Sequence, residues 1–253
     1  MSDETRHGGG ESVAAYYDRM APRWDDEHGV NRLNPHFARR LRRNLHDLLA
    51  SEAGRATALE LGAGTGPYVD VVAPLFKTLI ASDLSRGMLD ECALRLGRLG
   101  IANVRLSRMD ACDLGDVASG SVDVVYSIGL LETVPDLDRL FAETSRVLAP
   151  GGLAAGITSN GDCPWYRIRP ILEGGERHGR TRRYATAAGL RSILTRAGLG
   201  PPEVVHWGAV PPGMRNSLIC ACLAMMERIV EPTPLARFLG VMSFRSRKPP
   251  VLP

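Results

Sequence analysis

The chain has 253 residues, of which 44% are hydrophobic and 23% are charged, and its formal net charge is +3. These values are typical of a globular protein that buries a sizeable core, and they exclude a mainly disordered or collagen-like chain. No stretch approaches the roughly 20 apolar residues that a membrane-spanning helix needs. The polar start MSDETRHGGGES also lacks the apolar core of a signal peptide. We therefore expect a cytoplasmic protein without a membrane span.

The five cysteines are scattered along the chain, as is usual for reduced thiols. Cys220 and Cys222 lie two positions apart, but no second pair of Cys or His residues lies at a zinc-like spacing. We therefore expect no metal site. Two groups of arginines, at 39–43 and 177–183, are either solvated faces or a surface for an anionic substrate or a nucleic acid. Because nucleic-acid binders usually carry a more lopsided charge, we expect no nucleic-acid partner.

The N-terminal part predicts helices from Val13 to about Ala53, with a break at Asn34-Pro35. Within this part, apolar residues three to four positions apart predict a helix with one buried stripe. The stripe consists of Phe37, Leu41, Leu45, Leu48 and Leu49. The other faces of this helix carry the first arginine group.

From residue 56 onward, short apolar runs alternate with helical patterns. The predicted strands are Ala56–Leu61, Leu79–Ser82, Val104–Leu106, Val122–Ser127, Leu153–Ile157, Val204–Trp207 and Val241–Arg245. The predicted helices include Met88–Leu99, Leu137–Leu148, Thr186–Ala197 and Asn216–Val230, and a turn is predicted at Pro150-Gly151-Gly152. This alternation indicates an α/β fold, a Rossmann-like doubly wound sheet with mostly parallel strands. The ligand crevice is expected at the carboxyl ends of the strands.

Glycines follow the first strand in the run Leu59-Glu60-Leu61-Gly62-Ala63-Gly64-Thr65-Gly66. Glycines at this place let the backbone turn sharply and let a ligand approach the peptide groups, and the next helix points free N–H groups at that ligand. A dinucleotide site has its third glycine where this chain has Pro67, which disfavours a nicotinamide cofactor. A carboxylate at Glu60 can instead meet a positively charged ammonium group.

Polar residues end the following strands. Asp83 can accept hydrogen bonds from both hydroxyls of a ribose, a feature that nicotinamide and sulfonium-nucleoside cofactors share. Asp110 and Ala111 lie where an adenine edge is expected, with the carboxylate accepting from the exocyclic amine and the next backbone N–H donating to the ring. Ser127 closes the fourth strand.

Five segments in order, LELGAGTG, ASDLS, RMDACDL, DVVYSIGLLETVPD and RVLAPGG, resemble the signatures of class I S-adenosylmethionine-dependent methyltransferases. The N-terminal YYDRMAPRWD resembles the lid helix of the branch that acts on small molecules. The resemblance covers roughly residues 13–158. It implies a seven-stranded sheet whose last strand is antiparallel, an N-terminal helical lid, and S-adenosylmethionine as the cofactor.

The resemblance also assigns cofactor-binding roles. The methionine end of the cofactor is expected at Glu60, Gly62, Ala63, Gly64 and Gly66, with Ser127 beneath it. The nucleoside is expected at Asp83 for the ribose, at Leu84 and Met88 against the adenine, and at Asp110 and Ala111 along the adenine edge. The sulfonium and its methyl group are expected beneath Tyr17 and Trp24.

A hydroxyl acceptor must lose its proton, so a general base would help the reaction. The first candidates for a catalytic base are Glu132, just past the fourth strand, and His206, on a late strand. His28 and His178 are further options. A structural role is the alternative for each of them, and an amine or a stabilised carbanion acceptor needs no strong base.

The acceptor is expected to contact the segments 13–36, 159–184 and 208–230. An apolar pocket is predicted from Trp165, Tyr166, Trp207 and Met214, and a contact to a substrate carboxylate or phosphate from Arg180, Arg182 and Arg183. The helix at 218–230 is expected in the core or in a homodimer contact, with a membrane-surface role as the alternative.

We therefore expect an enzyme that moves a methyl group from S-adenosylmethionine to a small-molecule acceptor, a hydroxyl of a natural product or sugar. The alternatives are N- or C-methylation of a small molecule, methylation of RNA, and a non-catalytic cofactor-binding module. We expect a single domain over residues 1–253. Residues 1–53 form its cap and lid, 54–158 bind the cofactor, and 159–253 complete the sheet and contact the substrate.

Overall fold

The computed structural model describes residues 12–27, 29–166, 168 and 184–250. The strands are β1 Thr57–Leu61, β2 Thr78–Asp83, β3 Val104–Arg108, β4 Val122–Ile128, β5 Leu148–Ser159, β6 Glu203–Trp207 and β7 Val241–Arg247. The α-helices in these ranges include α1 Val13–Met20, α2 Trp24–Glu27, α3 Pro35–Leu49, α4 Val69–Val72, α5 Arg86–Leu99, α6 Leu137–Val147, α7 Ala187–Arg196 and α8 Ser217–Val230.

Within the described residues, seven strands form one sheet in the order β3-β2-β1-β4-β5-β7-β6. Strands β1 to β5 pair in parallel, and β7 pairs antiparallel with both β5 and β6. The strand order reverses between β1 and β4, and a ligand crevice opens at such a reversal because the loops there leave in opposite directions. The predicted Rossmann-like fold with an antiparallel last strand is confirmed.

Residues with a capping side chain begin the helices beside the crevice. Asn34 accepts a hydrogen bond from the backbone N–H of Phe37 at 2.8 Å, and Pro35 occupies the first turn of α3. Ser85 accepts from the N–H of Met88 at 3.1 Å and so begins α5. These caps satisfy N–H groups that have no partner inside the helix, and each stabilises its helix by about 1 kcal/mol.

Apolar side chains cover both faces of the sheet. On one face, α3 packs through the predicted stripe, in which Leu45 and Leu49 are fully buried. On the other face, Leu140 and Phe141 of α6 and Leu190 of α7 join a second cluster. Because burying one large apolar side chain is worth about 1.5–3 kcal/mol, these two layers hold the sheet as a rigid platform for the loops at its carboxyl edge.

Strand β5 is longer than predicted. The expected turn at Pro150-Gly151-Gly152 lies within β5, and the register of its pairing with β4 shifts between Val122 and Val124. The extra residues are absorbed as a bulge, which sequence patterns do not distinguish from a turn because both favour glycine.

Helix α8 is not a core helix, so the core alternative was wrong, whereas the homodimer contact and the membrane-surface role stay predictions. Glu227 is the one residue of α8 that is buried, whereas Leu218, Met225 and Ile229 are exposed. An apolar stripe in a sequence shows which side chains share a face of the helix, but it does not show whether the rest of the chain covers that face.

None of the helices in the described ranges is long and apolar enough to cross a bilayer. In the same ranges, no three histidine, cysteine, aspartate or glutamate side chains are grouped so that they could hold a metal ion.

Candidate functional site

A cavity of about 880 Å³ opens at the carboxyl ends of β1 to β4. Its volume lies within the roughly 300–1,000 Å³ that is usual for small-molecule sites. Its wall contains all the residues predicted to hold the cofactor except Gly66 and Ser127. Those in the wall are Tyr17, Trp24, Glu60, Gly62, Ala63, Gly64, Asp83, Leu84, Met88, Asp110 and Ala111.

Glu60 is buried near the end of β1 and lines the cavity. The hydroxyl of Tyr126, on the neighbouring strand β4, donates to its Oε2 at 2.8 Å. Burial raises the pKa of Glu60 to about 7, with the charge of Asp83 acting in the same direction and the Tyr126 hydrogen bond opposing it. A buried carboxylate of this kind is stabilised by a nearby cation, because the opposite charge compensates for the lost solvation.

Asp83 ends β2 and lines the same cavity. Its Oδ2 accepts from the backbone N–H of Gly64 and its Oδ1 from that of Ser85, each at 2.9 Å. Burial raises the pKa of Asp83, although these two hydrogen bonds oppose the effect. An ionised carboxylate has about four acceptor positions, two on each oxygen. Each oxygen of Asp83 can therefore accept one more hydrogen bond, so that the carboxylate could bind two neighbouring hydroxyls of a ligand.

Close packing shapes the glycine turn after β1. Gly66 has a φ of +68°, and a Cβ at this position would lie 2.4 Å from the sulfur of Cys92 on α5. Gly62 has a φ of +69°, and a Cβ there would lie 2.8 Å from Cδ1 of Leu130. Both positions therefore exclude larger residues, and the turn presents residues 62–64 to the cavity.

Residues 13–27, which contain α1 and α2 and are called the lid here, cover part of the cavity. The rings of Tyr17 and Trp24 pack edge to face with their centroids 5.4 Å apart, and both line the cavity. Because aromatic faces attract cations, this pair is suited to a positively charged ligand group.

Asp18 ties the lid to the start of α5. Its Oδ1 accepts from the hydroxyl of Ser85 at 2.5 Å and from the N–H of Gly87 at 2.8 Å. Burial opposes ionisation of Asp18, but these hydrogen bonds outweigh it and hold its pKa below the usual value. The charged carboxylate also lies at a helix N-terminus, where the helix dipole favours negative charge.

Asp25 forms a second tie between the lid and the body. Its Oδ1 accepts from the hydroxyl of Thr65 at 2.7 Å, and its Oδ2 forms an ion pair with Arg95 of α5. Arg95 also donates through Nε to the backbone oxygen of Thr65 at 2.9 Å. The lid, the glycine turn and α5 are thus joined by one polar network.

Another part of the cavity wall is apolar. It consists of Val30, Leu33, Phe37, Leu41 and Ile128, which come from the segment after the lid, from α3 and from the end of β4. Tyr68 lies in the wall as well, and burial raises the pKa of its hydroxyl to about 12, so the hydroxyl remains protonated at neutral pH. This wall can hold the apolar body of a second ligand.

A family model described as a methyltransferase domain matches residues 59–156. The trans-aconitate 2-methyltransferase of Deinococcus radiodurans is 31% identical over 176 residues, which cover 65% of this chain and 65% of that protein. The malonyl-[acyl-carrier protein] O-methyltransferase of Geobacter sulfurreducens is 33% identical over 172 residues, which cover 65% of this chain and 63% of that protein. The chain therefore spans a little less than two thirds of the length of these curated relatives.

Among solved structures, a SAM-dependent methyltransferase from Thermotoga maritima matches with a TM-score of 0.64 at 17% sequence identity, over 92% of this chain and 98% of that one. The family model is matched by the sequence, so it supports independently what the similarity of the folds indicates. Residues 59–156 therefore match a methyltransferase domain, and the chain shares the fold of a SAM-dependent methyltransferase.

Two of the predicted cofactor residues lie outside the cavity wall. Ser127 is buried within β4, while the next residues, Ile128 and Gly129, line the cavity. Gly66 packs against Cys92 of α5 and allows the close approach between the turn and this helix. The end of β4 therefore presents Ile128 and Gly129 to the cavity where the sequence predicted Ser127.

Glu132, a predicted base, is not brought into the cavity. Its Oε1 accepts from the backbone N–H of Ser159 at 2.6 Å, which ties the loop after β4 to the end of β5. Its Oε2 is buried and has no hydrogen-bond partner among the described residues. This position outside the wall does not support the predicted role as a base, which stays untested, and the hydrogen bond indicates a structural tie.

His206, the other predicted base, lies on β6, and β5 and β7 separate this strand from β4. It is not part of the cavity wall, and burial lowers its pKa. The order of the strands, which local patterns do not reveal, carries this histidine away from the site. His28 and His178 lie outside the described residues.

The predicted acceptor residues that the structure describes also lie elsewhere. Trp207 is buried with its ring centroid 5.5 Å from that of Phe37, and Tyr166 stacks on Tyr184 at 4.4 Å. Trp165 is half exposed, and Met214 is absent from the cavity wall.

Of the first arginine group, Arg40 pairs with Glu231 and Arg42 with Asp70, so part of its charge is neutralised. The second group, which includes Arg180, Arg182 and Arg183, lies outside the described residues.

The sequence patterns did not identify the roles of Asp18, Asp25 and Arg95. A signal was present, since each aspartate directly follows an aromatic lid residue, Tyr17 or Trp24. Nothing local in the sequence identified Arg95, because its partner Asp25 is 70 positions away.

Proposed function

We propose that this domain binds S-adenosylmethionine and transfers its methyl group to a hydroxyl of a small molecule that has an apolar body. The observation that carries the proposal is one cavity whose wall combines the buried carboxylates Glu60 and Asp83, an aromatic lid and an apolar surface. These are the partners that an ammonium, a ribose diol, a sulfonium and an apolar acceptor require.

Each part of the cofactor has a fitting partner. Glu60, with its pKa raised by burial, would gain most from the ammonium of the methionine part. Asp83 would accept from both ribose hydroxyls. The adenine would meet Asp110, Ala111, Leu84 and Met88, and the lid rings Tyr17 and Trp24 would cover the sulfonium.

Bound in this cavity, S-adenosylmethionine would supply a methyl group on a positively charged sulfur. The residues of the chain would contribute position and exclusion of water. The ties from Asp18 to α5 and from Asp25 to Thr65 and Arg95 keep the lid over the cavity. Fixing two reactants in the right geometry can supply up to about 7–11 kcal/mol in model reactions.

The choice of a hydroxyl on an apolar body rests on two observations. One relative is named an O-methyltransferase. The part of the cavity that would hold the acceptor is lined by Val30, Leu33, Phe37, Leu41 and Ile128. Such an apolar wall favours a ligand with apolar surface.

Calorimetric titration with S-adenosylmethionine and with NAD tests the cofactor. We expect S-adenosylmethionine to bind and NAD not to bind. Asp83→Asn should weaken binding at least about tenfold, because a hydrogen bond to a charged group is worth about 1.5–3 kcal/mol. The matched control is Asp90→Asn, an exposed aspartate on α5 that pairs with Arg86. Preferential binding of NAD, or equal losses in both variants, would contradict the assignment.

Mass spectrometry after incubation with S-adenosylmethionine and an acceptor panel tests the acceptor class. The panel pairs apolar phenols and long-chain alcohols with polar comparators, a sugar and trans-aconitate. We expect methylated product from the apolar hydroxyl compounds. Product from the polar comparators alone would refute the acceptor class but leave the cofactor assignment intact.

A further inference from the structure

Helix α8 contacts the body of the protein through charge. Its one buried residue, Glu227, accepts from the N–H of Gly208 at 2.6 Å and lies 3.4 Å from Nη1 of Arg40. One turn later, Glu231 pairs with the same arginine. Surface helices usually turn an apolar stripe toward the core and charges toward water, so the orientation of α8 is the reverse of the usual one.

The apolar side chains of α8 point to solvent on a shared side. Spacings of three, four and seven positions place them together on a helix. The residues, called the α8 face here, are Leu218, Ile219, Cys222, Met225, Met226 and Ile229. Leu218 is 73% exposed and Ile229 is 68% exposed. A continuous exposed apolar patch marks an interaction surface.

The exposed charges in and next to α8 are positive. Arg215 precedes the helix, Arg228 lies within it and Arg237 follows it, and all three are exposed. The carboxylates of the same segment do not balance them, because Glu227 is buried and Glu231 pairs with Arg40. Two copies of this face would bring like charges together, whereas an anionic surface would complement them.

We propose that the α8 face binds to the surface of an anionic lipid bilayer, with its apolar side chains entering the boundary between headgroups and acyl chains. Apolar residues combined with flanking arginines are the features of helices that lie in this boundary. The proposal does not depend on the proposed methyl transfer.

The place of α8 in the fold would bring the bilayer near the apolar part of the cavity. The backbone N–H of Asn34 donates to the oxygen of Pro212 at 2.7 Å, and its Nδ2 donates to that of Pro211 at 2.8 Å. These bonds hold the segment that leads into α8 beside Leu33, which lines the cavity. A lipid-dissolved acceptor would therefore have a short path to the site.

Co-sedimentation of the full chain with vesicles tests the proposal, without cofactor or acceptor. We expect binding to vesicles of phosphatidylcholine mixed with phosphatidylglycerol and little binding to phosphatidylcholine alone. The triple variant Leu218→Ser, Met225→Ser and Ile229→Ser should lose at least about tenfold in affinity, because each exposed side chain would otherwise bury apolar area in the lipid. Arg215→Gln and Arg228→Gln should each lose about fivefold at low salt.

The control variant is Leu94→Ser on α5, which removes a leucine that is 61% exposed outside the α8 face. It should bind vesicles as the parent does, and circular dichroism should show that all variants are folded. The proposal is overturned if the parent chain stays in the supernatant with anionic vesicles, or if Leu94→Ser weakens binding as much as the triple variant. Absent vesicle binding together with a dimer that the triple variant dissociates would show that a second copy covers the face.

Discussion

Burial determines how the two cavity carboxylates respond to a ligand. Glu60 has lost most of its solvation and has Tyr126 as a hydrogen-bond donor, and its pKa is raised to about 7. Asp83 also has a pKa raised by burial, although two backbone N–H groups donate to it. Both groups are therefore stabilised when a ligand brings positive charge or hydroxyl donors to them.

The raised pKa of Glu60 predicts how cofactor affinity depends on pH. Below about pH 7 the free protein carries a proton on Glu60, and a cationic ligand must displace it. Affinity for S-adenosylmethionine should therefore fall by up to about tenfold for each pH unit below 7, and should not change through this group above pH 7. Titration calorimetry between about pH 5.5 and pH 8.5 measures this dependence.

Glu60→Gln is the control for this prediction, because glutamine keeps the size and loses the titration. Near pH 8 the affinity of this variant for S-adenosylmethionine should be lower than that of the parent protein. Below pH 7 its affinity should not show the fall that is assigned to protonation of Glu60. The ligand's own amino group titrates equally with both proteins, so the difference between them isolates Glu60. Parallel pH profiles would show that Glu60 does not meet the cation.

The raised pKa of Glu60 also affects how the stability of the free protein depends on pH. A carboxyl whose folded pKa is raised binds its proton more tightly in the folded state than in the unfolded one. The contribution of Glu60 to stability therefore falls as the pH rises from about 4.5 to about 7 and is unchanged above that range.

At the scale of elements, the lid is held to the body by polar ties at both of its helices. Asp18 of α1 reaches the start of α5, and Asp25 of α2 reaches Thr65 and Arg95. Of the lid residues described, Met20 and Ala21 are the buried apolar ones. Few buried contacts and exposed hydrogen bonds are the features of segments that open locally.

Removing one tie should open the lid more often. In Asp25→Asn, the ion pair with Arg95 is lost, and amide hydrogen exchange in residues 13–27 should become about tenfold faster or more, since hydrogen bonds to charged groups are worth about 1.5–3 kcal/mol. Hydrogen exchange with mass detection measures this rate for the free protein.

Asp26→Asn is the matched control, because the Asp26 carboxylate accepts from Asn31 at 2.6 Å and is not tied to α5 or the glycine turn. Its lid should exchange as in the parent protein. If Asp25→Asn leaves exchange unchanged in the lid, the network with Arg95 does not hold the lid closed.

At the scale of the whole molecule, the cavity joins parts that are far apart in the chain. Its wall includes the lid, the turn after β1, and the ends of β2, β3 and β4. A ligand that binds across these parts stabilises the folded state, because the unfolded chain cannot bring them together.

We expect S-adenosylmethionine at about one hundred times its Kd to raise the free energy of unfolding by about 2.7 kcal/mol. For a chain of about 250 residues this corresponds to an increase in Tm of about 5–10 °C. Differential scanning fluorimetry measures it, and at the same concentration Asp83→Asn should show a smaller increase. An unchanged Tm in the parent protein would contradict binding across the cavity.

The sequence by itself determined the succession of strands, helices and turns along the chain, the glycine turn, and the carboxylates at or next to the ends of β1 and β2. Strand alternation, the 3.6-residue helical period and glycine-rich turns are local signals, and local signals survive without tertiary structure. The strand ends then converge at one edge because parallel strands share their direction.

Only the tertiary structure decided which side chains meet across the chain. It tied Glu132 to Ser159, carried His206 two strands beyond β5, paired Asp25 with Arg95 and turned the apolar side of α8 to solvent. Each outcome depends on how distant segments pack against one another, and the periodicity of a single segment contains no information about its neighbours.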